Sequence, residues 1–180
     1  MKPHLLLSAS PASARSRGQA LVEFAIVAPL LFILLVGIFE AGRFVLNLET
    51  LNNATREGAR YAIVHGAQSS CPSGPMPGGA TNPCETVVGE GVIAAVQNAA
   101  VGIAGLGDLT VPTPMWTAAL STSLPDRPGD PSVVQGDNYR GNYVTVYAYY
   151  SYDPIIKMMF DTGLIPSIDM NAESTLVINH

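Results

Sequence analysis

Residues Phe24–Phe39 read FAIVAPLLFILLVGIF, sixteen consecutive residues without a charge. Widening the window to Ala20–Ala41 gives twenty-two residues in which Glu23 and Glu40 are the only charged side chains. At 1.5 Å per residue, a helix of that length crosses a hydrocarbon core of about 30 Å. The run argues against a freely soluble cytoplasmic enzyme, and the lack of a second one in the 180 residues argues against a multi-pass transporter. Charged residues make up 13% of the chain, where an ordinary soluble domain has about 25%. Nine Lys and Arg against fourteen Asp and Glu leave a net charge of −5, the wrong sign for a nucleic-acid binder.

The charges are distributed unevenly around the apolar run. Residues 1–18 carry Lys2, Arg15 and Arg17 and no acid, whereas residues 44–180 carry five basic and twelve acidic side chains. Basic residues close to the run tie, with Lys2, Arg15 and Arg17 before it and Arg43, Arg56 and Arg60 after it. The short basic N-terminus and the long acidic remainder favour an N-in, C-out orientation. Ala12-Ser13-Ala14 has the small-x-small form of a secretory cleavage site, but only Leu5-Leu6-Leu7 precedes it as a solid apolar run. No cysteine adjoins either segment, so a lipoprotein is excluded, and an uncleaved signal anchor stays open.

A third kind of leader fits better. Arg15-Ser16-Arg17-Gly18 precedes Gln19-Ala20-Leu21-Val22-Glu23-Phe24, so a glycine closes a basic leader and a glutamate follows five places later. This resembles a type IV prepilin processing site. Over residues 18–62 the chain reads GQALVEFAIVAPLLFILLVGIFEAGRFVLNLETLNNATREGARYA. Taken in order, GQALVEF, the proline five residues after Phe24, GIFEAGR and NATREGARYA resemble the TadE-like family of the tight-adherence (Tad, type IVc) pilus system. The resemblance implies cleavage between Gly18 and Gln19 by a prepilin peptidase. It also implies pairing of Glu23, with Phe24 beside it, to the new α-amine of a neighbouring pilin-like subunit. An acid in a membrane segment costs about 2.5–3.5 kcal/mol on insertion scales, which is why it usually has a partner or a function. The bland alternative leaves Glu23 at headgroup level with no specific task. Gln19 departs from the aromatic residue typical of type IVa pilins, so N-methylation is not implied.

Pro29 removes one backbone donor and should loosen or kink the span. Beyond the span, Phe44, Leu48, Leu51, Thr55 and Ala59 recur at helical spacing, with Glu49, Asn53, Arg56, Glu57 and Arg60 on the opposite face. The pattern predicts one helix from about Ala20 to Val64, roughly 68 Å long. Ala54, Gly58 and Ala62 form a row of small residues that admits a close neighbour, either from the same core or from another subunit.

Residues 66–86, GAQSSCPSGPMPGGATNPCET, read as loop. Cys71 and Cys84 are the only cysteines, and a bridge between them would contribute about 3 kcal/mol in an oxidising compartment. A two-cysteine metal site is the rival reading, with His65 the nearest histidine, six residues before Cys71. Val87, Val88, Val92, Ala95, Val96, Ala99 and Ile103 predict a second helix over about Glu85–Leu106. Residues 121–142 form a turn-rich loop. The period then changes to two: Tyr143–Tyr152 and Ile168–Ile178 read as strands, and Leu109–Leu120 as a weaker third. Together these elements make an α+β domain, with a small antiparallel sheet covered by helices. The tyrosines of YVTVYAYYSY are either an adhesive surface or a half-buried sheet face.

Histidines at positions 4, 65 and 180 make neither a metal cluster nor a triad. Asp126, Asp130, Asp137 and Asn138 lack the spacing of an EF-hand and read as a solvated loop rather than a calcium site. No enzyme activity and no cofactor are expected. The expected organisation is a leader over 1–18, a transmembrane helix over 19–42 and an extracytoplasmic α+β domain over 43–180. By the resemblance the protein is a minor pseudopilin in the bacterial inner membrane. Its expected partners are other pilin-like subunits, the prepilin peptidase, the inner-membrane assembly platform and the lipid bilayer. The alternative is a single-pass anchored periplasmic or surface-binding protein that enters no filament.

Overall fold

The computed structural model describes residues 12–103, 108–118, 136–159 and 166–179. They divide into two compact units, one ending at Gly42 and the other beginning at Arg43. Helix α1 (Ala12–Val64) supplies the whole described part of the first unit and the opening element of the second. It begins eight residues before the expected start and ends at the expected Val64. Pro29 lies inside it, so the Ala25 carbonyl receives no helical hydrogen bond from that position.

In the second unit, α1 buries Leu51, Ala54, Thr55, Gly58, Ala59 and Ala62, while Glu49, Asn53, Arg56, Glu57 and Arg60 are exposed. This is the two-faced pattern expected from the spacing. After α1, Asn138 fastens the chain: its side-chain amide donates to the His65 carbonyl (2.9 Å) and its own carbonyl accepts from Ala67 N–H (2.8 Å).

Helix α2 (Glu90–Ala99) is shorter than the predicted Glu85–Leu106. Its start is set by Gly89, which takes the left-handed conformation (φ 82°) that only glycine adopts cheaply. Val87 and Val88, read from sequence as part of the helical stripe, precede this break and are exposed. Val92 and Val96 are fully buried, as is nearly all of Ile103 beyond the helix end, and residues 104–106 lie outside the described residues.

The sheet is antiparallel and centred on β3 (Tyr143–Tyr152), which pairs along its full length with β4 (Ile168–Val177), from Tyr143↔Val177 to Tyr152↔Ile168. On the other side of β3 lie two short pieces, β1 (Leu109–Thr110) and β2 (Met115–Thr117). The expected third strand is thus real but broken. Thr110 pairs with Tyr149 and Met115 with Thr145, so four residues, 111–114, stand opposite three. Pro112 and Pro114 fall in that gap, and neither can donate to a ladder, which confines them to an edge or a bulge. A five-residue helix α3 (Ile155–Met159) follows β3, with Lys157 Nζ 2.6 Å from Asp153 Oδ1.

One sheet face makes the core. Val144, Val146, Ala148, Tyr150 and Tyr152 of β3 cluster with Met170 and Ala172 of β4, Trp116 of β2, and the buried stripes of α1 and α2. Trp116, 1% exposed, is held between two glycines. A Cβ on Gly74 would lie 2.5 Å from its indole, and one on Gly89 3.2 Å from the same ring. At the other end of β3, Tyr152 meets Phe44 edge-on (5.8 Å between centroids), and the Arg43 guanidinium lies 5.5 Å above its ring.

Candidate functional site: the exposed apolar helix and the capped loop

Between Leu21 and Phe39, thirteen large apolar side chains are 51–72% exposed. Leu30 through Leu35 are six in a row, all exposed. Six consecutive positions sweep more than one full turn at 3.6 residues per turn, so this stretch has no buried face of its own. At about 1 kcal/mol of unrealised transfer per side chain, the sum exceeds 10 kcal/mol, as large as the net stability of a whole domain. Water is therefore the wrong surroundings for this helix. Among the described residues, α1 is the one helix long and apolar enough to cross a membrane, with a mean hydropathy of 2.7 over an 18-residue window.

The residues singled out for pairing lie on this stretch, and those singled out for processing lie just before it on the same helix. Gly18, Gln19, Glu23 and Phe24 are all exposed, Phe24 by 67%. A Cβ at Gly18, Gly37 or Gly42 would meet nothing within 4 Å. Of the basic leader, residues 1–11 lie outside the described residues.

The small-residue row faces inward within the second unit. Ala54 and Ala62 are fully buried, and a Cβ on Gly58 would lie 2.4 Å from Val96 Cγ2, 3.4 Å from Val146 Cγ1 and 3.5 Å from Val92 Cγ1. The neighbours that α1 admits here are thus α2 and β3 of its own chain.

Cys71 and Cys84 form a disulfide with Cα atoms 5.4 Å apart. Asn82 pins the loop it closes: its amide donates to the Pro72 carbonyl (2.7 Å) and its Oδ1 accepts from Cys84 N–H (2.9 Å). Glu85, the next residue, then reaches the start of α2. Its two carboxylate oxygens accept from Gly89 N–H (3.0 Å) and Gly91 N–H (2.9 Å). A carboxylate on free N–H groups at a helix N-terminus is favoured by both hydrogen bonding and the helix dipole. Sequence reading placed Glu85 inside the helix and missed this role; the glycines at 89 and 91 are the signal that could have revealed it.

The tyrosines divide between the faces. Tyr150 and Tyr152 are buried in the core, Tyr147 is 4% exposed on the opposite face, and Tyr143 and Tyr149 are half-buried. A cavity of about 300 Å³ opens beside Asp108, Thr110, Tyr150, Ser151 and Asp169. Burial pushes the Tyr150 phenol above its ordinary value of 10.0; Asp108 adds to the rise, Arg43 opposes it, and Asp153 adds a little. Among the described residues no group of three His, Cys, Asp or Glu side chains is placed to hold a metal ion. Asp137 instead accepts two hydrogen bonds from Asn142, and Asn138 is fully buried; Asp126 and Asp130 lie outside the described residues. His65 stacks on Tyr61 (4.0 Å), with Nδ1 2.9 Å from the Tyr61 carbonyl oxygen.

The family model described as TadE-like protein matches residues 18–60, about a quarter of the chain. That match spans the exposed apolar stretch and most of the α1 residues that pack into the domain, stopping short of Ala62. It is the family that the motifs of residues 18–62 resemble. No curated protein and no solved structure gives a significant match.

Proposed function

We propose that this chain is a pilin-like subunit of a Tad (type IVc) pilus or a related secretion apparatus, and that it acts structurally, through its N-terminal helix. The observation that carries the reading is an apolar helix exposed on every side, within the segment that matches TadE-like proteins. An exposed acid, Glu23, stands five residues after Gly18 on the same helix. In this reading residues 1–18 are a leader, 19–42 span the inner membrane with the N-terminus cytoplasmic, and 43–180 form a domain on the far side. A prepilin peptidase cuts after Gly18. The new amine of Gln19 and the carboxylate of Glu23 then offset one another's desolvation between neighbouring subunits, each being costly alone. The disulfide fits an oxidising compartment for the domain.

Intact mass of protein extracted from native membranes, combined with sedimentation of sheared filaments, tests this. The expected chain begins at Gln19 and travels with the filaments. Glu23→Gln should still be cut but be recovered poorly with partner subunits. A chain that retains Met1 and stays with the membrane after shearing refutes the proposal and identifies a simple anchored protein.

A further inference from the structure

Past Gly42, the outward side of α1 stays apolar for one more turn: Val45 is 54% and Leu46 66% exposed. From Glu49 onward that side carries Glu49, Asn53, Arg56, Glu57 and Arg60, all exposed. A third aliphatic side chain comes from a distant part of the sequence. Val101, on the turn that follows α2, is 68% exposed. Its neighbour Gly102 faces α1, since a Cβ there would lie 3.8 Å from Thr50 Cγ2. The Thr50 hydroxyl in turn donates to the Leu46 carbonyl (2.8 Å). Gly102, and with it Val101, thus lies beside the turn of α1 that runs from Leu46 to Thr50.

We propose that Val45, Leu46 and Val101 form a collar that seats the domain in the headgroup layer of the bilayer, with the lipid surface as its partner. The proposal rests on the membrane-spanning reading of residues 19–42. Scattered exposed aliphatics are ordinary on a protein surface, but the covalent chain limits where these can be. Leu46 is four residues from Gly42, so it cannot lie more than about 14 Å from it. Ala20–Ala41 fills the hydrocarbon core of about 30 Å, and the headgroup region on its far side adds about 5–7 Å, or about three to five residues of helix, which brings α1 to about Leu46. The change from Leu46 to Glu49 therefore falls where headgroups give way to water. Aliphatic side chains at that level insert shallowly beside lipid headgroups, as interfacial helices do.

The test uses the full chain in phosphatidylcholine vesicles containing lipid brominated near the headgroup. Leu46→Trp and Val101→Trp should each lose most of the emission they add over buried Trp116, while Arg60→Trp keeps its own. Phe32→Trp with lipid brominated deep in the chain reports the span separately. If Phe32→Trp is unquenched, the spanning reading itself has failed. If it is quenched and Val101→Trp is not, the collar alone is overturned. Unquenched, blue-shifted Val101→Trp emission that disappears on dilution into excess lipid would assign the collar to a second copy of the chain, which also overturns the proposal. Diazirine-bearing lipid with the unaltered protein guards against misfolded variants. Labelling should fall on the segments holding Val45–Leu46 and Val101; labelling of Asn53–Arg60 instead refutes the collar.

Discussion

Replacing Gly58 by alanine sets two effects of opposite sign against each other. Alanine is the better helix former by about 1 kcal/mol. The added methyl, however, would sit 2.4 Å from Val96 Cγ2, with Val146 and Val92 at 3.4 and 3.5 Å. All three valines are fully buried, so none can swing into solvent to make room. Overpacking of this kind costs about 1–3 kcal/mol, and with three neighbours fixed the upper part of that range applies. The expected net loss is about 1–2 kcal/mol, or about 4 °C of Tm per kcal/mol for a domain of this size. Thermal unfolding of the full chain in detergent, followed by near-ultraviolet circular dichroism, measures it. Val96→Ala alone should also destabilise by leaving a cavity. In the double variant the methyl added at position 58 fills that space, so the combined loss should fall short of the sum by more than about 0.5 kcal/mol. A Gly58→Ala variant that melts higher than the parent would refute the packing described here. If that variant also entered filaments poorly, the row would belong to a contact between subunits.

Glu85→Ala should lower stability by about 1–2 kcal/mol, the size of a lost helix cap made by a charged acceptor, read as a lower Tm; an unchanged Tm would mean that α2 starts without it. Reduction of Cys71–Cys84 frees a loop of about fourteen residues and should cost about 3 kcal/mol, seen as a drop in urea midpoint on adding a thiol. Alkylation should modify neither cysteine until reductant is present. Tyr150 holds its proton more tightly folded than unfolded, so its contribution is intact below pH 10 and is lost as pH rises from the unfolded toward the folded pKa. Urea midpoints across that range should fall less steeply for Tyr150→Phe than for the parent; parallel curves would exclude the effect.

The elements that sequence reading captured are those with one dominant physical signal. The end of α1 at Val64 and the bounds of β3 at Tyr143 and Tyr152 were legible because apolar periodicity stops abruptly there. The alternation from Ile168 to Ile178 also marked the face of β4 that joins the core, although Ile168 itself, at the strand's start, is exposed. Errors arose where a local backbone feature overrode a run of apolar residues. Val87 and Val88 continue the α2 pattern in composition, but the left-handed Gly89 breaks the helix after them. Leu109–Leu120 has strand-like residues, but Pro112 and Pro114 interrupt its ladder. At the candidate site, Gly18, Glu23 and the apolar run were visible in the sequence. The intramolecular fate of Gly58 was not, because Val96 and Val146 reach it from segments 38 and 88 residues away. Trp116 was passed over for the same reason: its glycine clamps come from positions 74 and 89.

The interrupted edge formed by β1 and β2 bears on aggregation. Sheet edges invite strands from other molecules. Here an incoming strand would meet two paired residues at Leu109–Thr110, then a stretch in which positions 112 and 114 have no N–H to offer, then β2, whose Trp116 carbonyl already accepts from Gly136 N–H. The one-residue offset between the two pieces also puts them out of phase, so no straight strand can match both. On this side the sheet is closed to the addition of strands from other molecules, a protection built from two prolines and a single hydrogen bond from Gly136 rather than from charge.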